Sequence, residues 1–248
     1  MVIASSQVSV LLPIGGNCPH RARAREYVRA WYAHHHPEYE LVYGIIRGTA
    51  VWCKAEAVAY AAHRASGDVL VVADADTVAP RLSDAVQALT KGWNWAMPHY
   101  TVNRLNRRTT DAVLLGSDPE SFPRSLKWYD QLPYVGIPGG GIVVLRRETY
   151  ESAPIDPGFR GWGQEDEAWA LALRSLHGKP WRPSRSAPLW HLWHPPQKRK
   201  SRAIGSDKSK FLLSEYQKSR TPEMMSYRLS EAREFYWRNM REEVLQSN

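Results

Sequence analysis

The chain has 248 residues, enough for one large domain or for one domain with a helical appendage. Hydrophobic residues make up 43% and charged residues 23%, a balance typical of globular proteins, and no apolar run approaches the length of about 18 residues that a membrane span needs. The net charge of +8 indicates an anionic partner such as nucleic acid, an acidic membrane surface or a nucleoside diphosphate.

The first third of the chain alternates strand and helix patterns. Apolar, β-branched runs predict strands at 7–13, 40–46 and 68–73, and helical spacing predicts helices at 21–36 and 52–65. Since the apolar stretch at the N-terminus has no basic leader, we interpret it as the first strand and not as a signal peptide. The order β-α-β-α-β predicts an α/β fold built on a doubly wound, mostly parallel sheet.

The remaining two thirds are less regular. The pattern predicts helices at 81–90 and 164–177, short strands at 95–98 and 142–145, and polar loop with short helical pieces at 103–133. A basic, polar stretch follows residue 195, and 209–245 is helical in pattern with a break near Thr221 and Pro222. We therefore expect a main domain over 1–200 and a basic loop with a helical extension over 201–248.

Three short motifs could carry chemistry. The first is Asp74-Ala75-Asp76, directly after the strand at 68–73. Ligands of open α/β sheets bind at the carboxyl ends of strands, and two acids there could hold a hard cation that bridges diphosphate oxygens. The alternative is a solvated turn that caps the following helix.

The second motif contains His191 and His194, followed by two prolines that argue against a helix. On their own, such residues suit a hydrogen-bonded aromatic cluster in the core, whereas imidazoles combined with carboxylates suit Mn²⁺ and, next, Mg²⁺. A zinc site with Cys18 or Cys53 has no C-x-x-C motif to support it. Two cysteines form no disulfide framework, which favours the cytoplasm.

The third motif, Gly161-Trp162-Gly163-Gln164-Glu165-Asp166-Glu167, places three acids at the start of a helix. Acids there complement the helix dipole, which does not explain the flanking Gly-Trp-Gly. A carboxylate held in this way beside a cleft could accept the proton of an attacking hydroxyl.

Together, DVLVVADAD, PGGGIVVLRR, GWGQEDE and HLWHPP resemble, in this order, the motifs of metal-dependent glycosyltransferases of the GT-A fold. The resemblance covers about residues 7–196 and is closest to the branch of family 2 that shares its C-terminal motif with the β-1,4-galactosyltransferases of family 7. It implies a Rossmann-like, nucleotide-binding sheet flanked by helices. It also implies transfer of a sugar from a nucleotide-diphosphate donor, expected to be UDP-linked, to an acceptor hydroxyl.

The resemblance also implies roles for particular residues. Mn²⁺ or Mg²⁺ would be held by Asp74, Asp76, His191 and His194. Asp166 would act as the base of an inverting reaction, and Glu165 would contact the acceptor or orient the site. Donor-binding positions are Pro13, Gly15, Arg47, Lys54, Asp74, Gly140, Gly141, Trp162 and Arg199. The basic stretch with Arg199 would form a lid that closes over the donor.

Two features depart from the family and leave the identity of the donor base open. The first-strand loop reads PIGGNCPHRARAR in place of the commoner pattern with an early Asn and Arg, and the second strand lacks the acid that often holds uracil. A retaining transferase, a sugar nucleotidyltransferase and a basic nucleic-acid-binding protein are the alternatives. Nucleic acid fits poorly, because acids at strand ends repel phosphate unless a metal intervenes. The acceptor could be a glycan, a protein, a lipid-linked sugar or DNA.

Overall fold

The structure is a computed structural model and describes residues 8–16, 18–45, 51–122, 127–131, 140–161, 163–184, 187–195 and 206–246. Its first elements alternate as the sequence predicts. They are strand β1 (Val8–Ile14), helix α1 (Pro19–His35), strand β2 (Glu40–Ile45), helix α2 (Lys54–Arg64) and strand β3 (Val69–Ala73).

The remaining elements complete two sheets and a helical C-terminal part. The strands are β4 (Thr77–Val78), β5 (Trp95–Ala96), β6 (Thr101–Leu105), β7 (Lys127–Gln131), β8 (Ile142–Arg146) and β9 (Pro188–His191). The helices are α3 (Leu82–Thr90), α4 (Arg107–Leu114), α5 (Arg147–Ser152), α6 (Glu165–His177), α7 (Ser206–Lys218), α8 (Pro222–Arg228) and α9 (Ser230–Gln246).

The main sheet has the strand order β2-β1-β3-β8-β5. Strand β1 pairs in parallel with β2 and β3, whereas β8 runs antiparallel to both β3 and β5. Four of these five strands therefore point the same way, which confirms the predicted mostly parallel α/β sheet with flanking helices. Because β8 runs in the opposite direction, its first residues lie beside the carboxyl end of β3.

A second sheet has the strand order β4-β9-β6-β7. Strand β9 pairs in parallel with β6 and antiparallel with β4. The prediction of loop and short helices at 103–133 is correct for α4 but wrong for β6 and β7, which pair as antiparallel strands. These strands are short and rich in polar residues, so their pairing depends on neighbours that are distant in the sequence.

Each face of the main sheet carries its own buried core, since neighbouring residues of a strand point to opposite faces. Leu11 packs with α2, α6 and the C-terminal helices, and Leu12 packs with α1, α3 and the second sheet. The C-terminal helices belong to the first of these cores, because Tyr216 and Tyr236 are buried in it beside Trp169. The hydroxyl of Tyr216 also donates to Asp156 Oδ2 at 3.0 Å.

The C-terminal part is helical as expected, and the predicted break coincides with the start of α8, where the Thr221 side chain accepts a hydrogen bond from the Met224 amide. The division at residue 200 stays a prediction. Within the described residues, none of the helices is both long enough and apolar enough to cross a membrane.

Candidate functional site

The site is built around the turn that follows β3. This turn leads into β4, and the antiparallel pairing of β4 with β9 places Thr77 opposite His191. The Leu192 amide donates to the Asp76 carbonyl at 2.9 Å, which extends the pairing of the two segments by one hydrogen bond beyond Thr77 and His191. Backbone pairing between two distant segments therefore brings Asp76, His191 and His194 together.

These three side chains form a candidate metal triad. Asp76 Oδ1 lies 3.8 Å from His191 Nε2, Asp76 Oδ2 lies 3.4 Å from His194 Nε2, and one ligand atom of each residue falls within 4.8 Å of the others. Two atoms that each lie about 2.0–2.2 Å from the same metal are separated from each other by distances like those between Asp76 and the two histidines. His194 Nδ1 lies 2.9 Å from the Pro195 carbonyl, and since a carbonyl can only accept, Nδ1 is the donor in this contact, whereas Nε2 is the atom that faces Asp76.

The charges in the triad also suit a cation. Burial alone would raise the pKa of Asp76, but His191, His194 and Arg21 outweigh it, so the pKa is lowered. Burial lowers the pKa of His191, although Asp76 opposes this shift. A carboxylate beside a neutral imidazole is the protonation state that metal binding requires.

Asp74 has different partners from Asp76. Its amide donates to the Gly141 carbonyl at 2.8 Å, and its Oδ1 accepts from Lys54 Nζ at 2.8 Å. The same Lys54 nitrogen donates to Asp166 Oδ1, also at 2.8 Å. The structure therefore joins Asp74, Lys54 and Asp166 in one partly buried group beside the metal triad, and the ligand role predicted for Asp74 stays a prediction.

The ionisation of this group follows from its burial and its charges. Burial would lower the pKa of Lys54, yet the carboxylates of Asp166, Asp74 and Glu165 raise it well above its usual value. Burial, followed by the charge of Asp166, raises the pKa of Glu165 to about 7. Lys54 is thus an ammonium at neutral pH, and a pKa of about 7 allows Glu165 to gain or lose its proton there.

The turn before α6 has an unusual backbone. Gly161, Gly163 and Gln164 have φ values of 88°, 104° and 76°, and Gln164 is the residue other than glycine with a positive φ in the described part of the chain. A left-handed conformation at a non-glycine residue is strained, and such strain clusters at functional sites. The turn delivers Glu165 and Asp166 to the site at the first positions of α6.

The glycines predicted to bind the donor have packing roles of their own. A Cβ at Gly15 would lie 2.3 Å from Cε3 of Trp52, and a Cβ at Gly141, whose φ is +82°, would lie 2.8 Å from Leu189 Cδ1. Pro13 belongs to β1, and the carbonyl of Gly140 accepts from the Ile142 amide at 3.2 Å. Donor contacts for Pro13, Gly15, Gly140 and Gly141 stay predictions.

Three predicted donor-binding residues, Arg47, Trp162 and Arg199, lie outside the described residues, as does the basic stretch 196–205. Cys18 is no member of the triad, and Cys53 is buried and donates to the Pro157 carbonyl at 3.7 Å.

The structure also brings in residues that the sequence analysis did not single out. Arg21 Nη2 lies 3.4 Å from His194 Nε2, and Arg104 stands opposite His191 in the pairing of β6 with β9. The carbonyl of Trp52 accepts from the Gly161 amide at 2.7 Å and so ties the start of α2 to the turn before α6. The position of Arg21 just after the first strand could have indicated it, because ligands bind there in α/β sheets. Arg104 is identified only by its strand pairing.

No protein-family model matches the chain, and no curated protein sequence matches it. Among solved structures, the chain is similar to the catalytic domain of Drosophila β1,4-galactosyltransferase 7 in complex with xylobiose. That match has 13% identity and a TM-score of 0.45, and it covers 75% of this chain and 71% of the other.

Two further solved structures are similar to the chain. Glucosyl-3-phosphoglycerate synthase from Mycobacterium tuberculosis in complex with phosphoglyceric acid matches at 17% identity and a TM-score of 0.45, covering 86% of this chain and 79% of that one. GalNAc-T7 with UDP, GalNAc and Mn²⁺ matches at 16% identity and a TM-score of 0.46, covering 93% of this chain and 49% of that one. At these identities and TM-scores, the likeness carries no conclusion about the activity of this chain.

Proposed function

We propose that the protein is a glycosyltransferase that moves a sugar from a nucleoside-diphosphate donor, expected to be UDP-linked, to an acceptor hydroxyl with inversion at the anomeric carbon. The proposal rests on one observation. A triad of one carboxylate and two imidazoles stands at the carboxyl end of β3, next to two acids that a strained turn presents from α6. A diphosphate leaving group calls for the first of these features, and a hydroxyl nucleophile calls for the second.

Asp76, His191 and His194 would hold the cation. When bound, Mn²⁺ or Mg²⁺ neutralises the negative charge that the leaving diphosphate acquires. Arg21 stands at the triad, with Nη2 3.4 Å from His194 Nε2, and its guanidinium is suited to bind phosphate oxygens. The net charge of +8 accords with a phosphate-bearing substrate.

Asp166 would accept the proton. In the reaction, the acceptor oxygen forms a bond to the anomeric carbon, the bond from that carbon to the diphosphate oxygen breaks with its electron pair, and the hydroxyl proton passes to a carboxylate. The side chain of Asp166 is 14% exposed, and its ion pair with Lys54 fixes its direction. Glu165, which is buried, would orient the site or contact the acceptor.

The donor set of the triad also suits Fe²⁺ and Zn²⁺, so the metal has to be measured. Retention of configuration is compatible with the same triad and would change only the role of Asp166. Binding of nucleic acid is less favoured, since the buried carboxylates at this edge of the sheet would repel a phosphate backbone.

The proposal is tested with a panel of nucleotide sugars in the presence of Mn²⁺, Mg²⁺, Fe²⁺ or Zn²⁺. Release of the nucleoside diphosphate and the rise in Tm are recorded for the wild type, Asp76→Asn and His194→Gln. His35→Gln, on an exposed part of α1, is the matched control. We expect a UDP-sugar with Mn²⁺ to be hydrolysed and to stabilise the wild type and the control but not the triad variants. Stabilisation by Fe²⁺ or Zn²⁺ with no effect of any nucleotide sugar would contradict the proposal.

Three further parts of the proposal follow from the sequence. We propose that the donor is bound by Arg47, Trp162 and Arg199, that the basic stretch closes over it, and that the protein is located in the cytoplasm. Limited proteolysis with and without donor and Mn²⁺ tests the closure, because a lid that closes becomes protected from the protease.

A further inference from the structure

Lys54 connects two parts of the site that are distant in the sequence. It is the first residue of α2, its side chain is 8% exposed, and its Nζ lies 2.8 Å from both Asp74 Oδ1 and Asp166 Oδ1. The carboxyl end of β3 is thereby joined to the beginning of α6 through a single nitrogen atom.

The two acids of the Asp74-Ala75-Asp76 motif face different partners. Asp76 lies against His191 and His194, whereas Asp74 lies against Lys54. Among the residues that the structure describes, the group able to hold a cation contains Asp76 and not Asp74. The motif therefore divides between the two halves of the site.

The turn before α6 needs an external restraint. Gly161, Gly163 and Gln164 all have positive φ. Glycine adopts positive φ about as readily as negative φ, so it does not hold the turn in one conformation, and glutamine adopts positive φ only under strain. An ion pair of low exposure supplies the restraint, because breaking it leaves a buried charge without its partner.

We propose that Asp74 and Lys54 form a positioning pair for Asp166, and that Asp74 acts on the reaction through this pair and not as a ligand of the metal. The inference rests on the proposed function. Asp74 fixes the Lys54 ammonium through a hydrogen bond, and the ammonium in turn fixes the carboxylate that receives the proton of the acceptor. A positioning group of this kind changes the rate of the chemical step more than it changes the affinity for the donor.

A purely structural role is the competing explanation, and the chain offers a matched control for it. Glu56, also on α2, forms an ion pair with Arg160 of the loop before α6 at 2.5 Å, with side-chain exposures of 25% and 45%. Glu56→Gln thus weakens a second ion pair between α2 and the segment that leads into α6, one in which Asp74, Lys54 and Asp166 take no part.

The experiment compares Asp74→Asn, Asp76→Asn, Lys54→Met, Lys54→Arg and Glu56→Gln. Binding of Mn²⁺ alone is measured by electron paramagnetic resonance, and kcat and KM are measured for transfer from the UDP-sugar that the wild type hydrolyses in the panel of nucleotide sugars. We expect Asp74→Asn to bind Mn²⁺ like the wild type and to lose kcat by about 10- to 100-fold with little change in KM, as is usual for residues that orient a reacting group. Asp76→Asn should lose Mn²⁺ binding.

Two further comparisons test the pair itself. Asp74→Asn should have little additional effect in the Lys54→Met background, because both changes interrupt the same interaction. Lys54→Arg, which keeps the positive charge, should have a higher kcat than Lys54→Met. Glu56→Gln should retain the kcat of the wild type. Circular dichroism and Tm establish that each variant is folded. If Lys54→Met does not fold, the inference is tested with Asp74→Asn, which keeps the side-chain shape.

The inference is overturned if Asp74→Asn weakens Mn²⁺ binding as much as Asp76→Asn does, or if its kcat equals that of Glu56→Gln. These outcomes are distinct from failure of the proposed function, which would appear as absence of transfer and of donor hydrolysis by the wild type. The measurement with Mn²⁺ alone assigns the ligands in either case.

Discussion

The indole ring of Trp52 lies directly against the backbone of Gly15, so that any side chain at position 15 would overlap the ring at Cε3, Cζ3 and Cδ2. This contact joins the loop after β1 to the beginning of α2, and Trp52 continues the connection through its carbonyl to Gly161. Gly15 is therefore required for packing, whether or not it also contacts a donor.

Gly15→Ala should lower the free energy of unfolding by about 1–3 kcal/mol, the usual cost of overpacking a filled site. Chemical denaturation measures it. Gly16→Ala is the control, because Gly16 has a φ of +71° with no atom within 4 Å of the added Cβ, so that it reports backbone strain without a clash. The cost of Gly15→Ala should shrink in a Trp52→Ala background, and an unchanged cost would show that the ring is not its cause.

Asp166→Asn should reduce transfer by about 10²–10⁴-fold while donor binding persists, because the amide keeps the shape of the side chain but cannot accept the proton. Initial rates measure the loss, and the change in Tm with UDP and Mn²⁺ measures binding. The new linkage, examined by NMR, should have the anomeric configuration opposite to that of the donor. Retention of configuration, or transfer at the wild-type rate, would refute the role of Asp166 as the base.

Glu165→Gln should change how stability depends on pH. Since the pKa of Glu165 is raised to about 7, the folded state binds more protons than the unfolded state between the usual pKa and 7, and the wild type loses stability as the pH rises through this window. The variant lacks this loss, so its stability relative to the wild type should increase by on the order of 3 kcal/mol from pH 4.5 to pH 8.

Urea unfolding in EDTA measures the difference, with Glu167→Gln as the control for loss of a negative charge in the same helical turn. A difference between Glu165→Gln and the wild type that stays constant over this pH range would contradict the prediction.

His99 should make the protein sensitive to acid. It is fully buried, neither ring nitrogen has a hydrogen-bond partner in the described part of the chain, and burial, with Arg182 adding to it, lowers its pKa to about 3. The unfolded state therefore binds more protons as the pH falls below the usual value of 6.5, and stability is lost in that direction.

We expect His99→Leu to lose less stability than the wild type between pH 7 and pH 4.5, by on the order of 2–3 kcal/mol. Denaturant midpoints at the two pH values measure this, and His34→Leu, at an exposed position, controls for the loss of a histidine. Equal losses in His99→Leu and the wild type would rule out His99 as the source.

Removal of residues 206–248 should prevent cooperative folding of the rest of the chain. Truncation would expose apolar side chains of α2, α5 and α6 that pack against Tyr216, Met225 and Tyr236, and each buried side chain of this size contributes about 1.5–3 kcal/mol. Circular dichroism during thermal unfolding measures it. A truncated chain that unfolds cooperatively near the wild-type Tm would instead support an independent domain over 1–200.

The sequence predicts the first five elements well, because each has a local cause. The all-apolar run Val69–Ala73, for example, fits a strand covered on both faces. Strands β6 and β7 leave no such local pattern, and their existence depends on partners elsewhere in the chain. Local periodicity thus predicts the main sheet and misses part of the second one.

The candidate site divides in the same way. The strand-end motif alone indicates Asp76. The choice of Asp166 among three acids, and of a metal site over a core cluster for the two histidines, depends on the resemblance to a family. Nothing in the sequence indicates that Lys54 contacts Asp74 and Asp166 at once, because the distances from Lys54 to the two carboxylates are set by the packing of α2 against the sheet.

The pairing of β4 with β9 has a consequence for the order of events during folding. The members of the triad are far apart in the sequence, and their side chains meet where these two strands pair. An ion would then bind a structure that is already folded, and it would stabilise the folded state by mass action without taking part in folding. Loading with metal should accordingly prolong the lifetime of the folded protein while leaving its rate of folding largely unaltered.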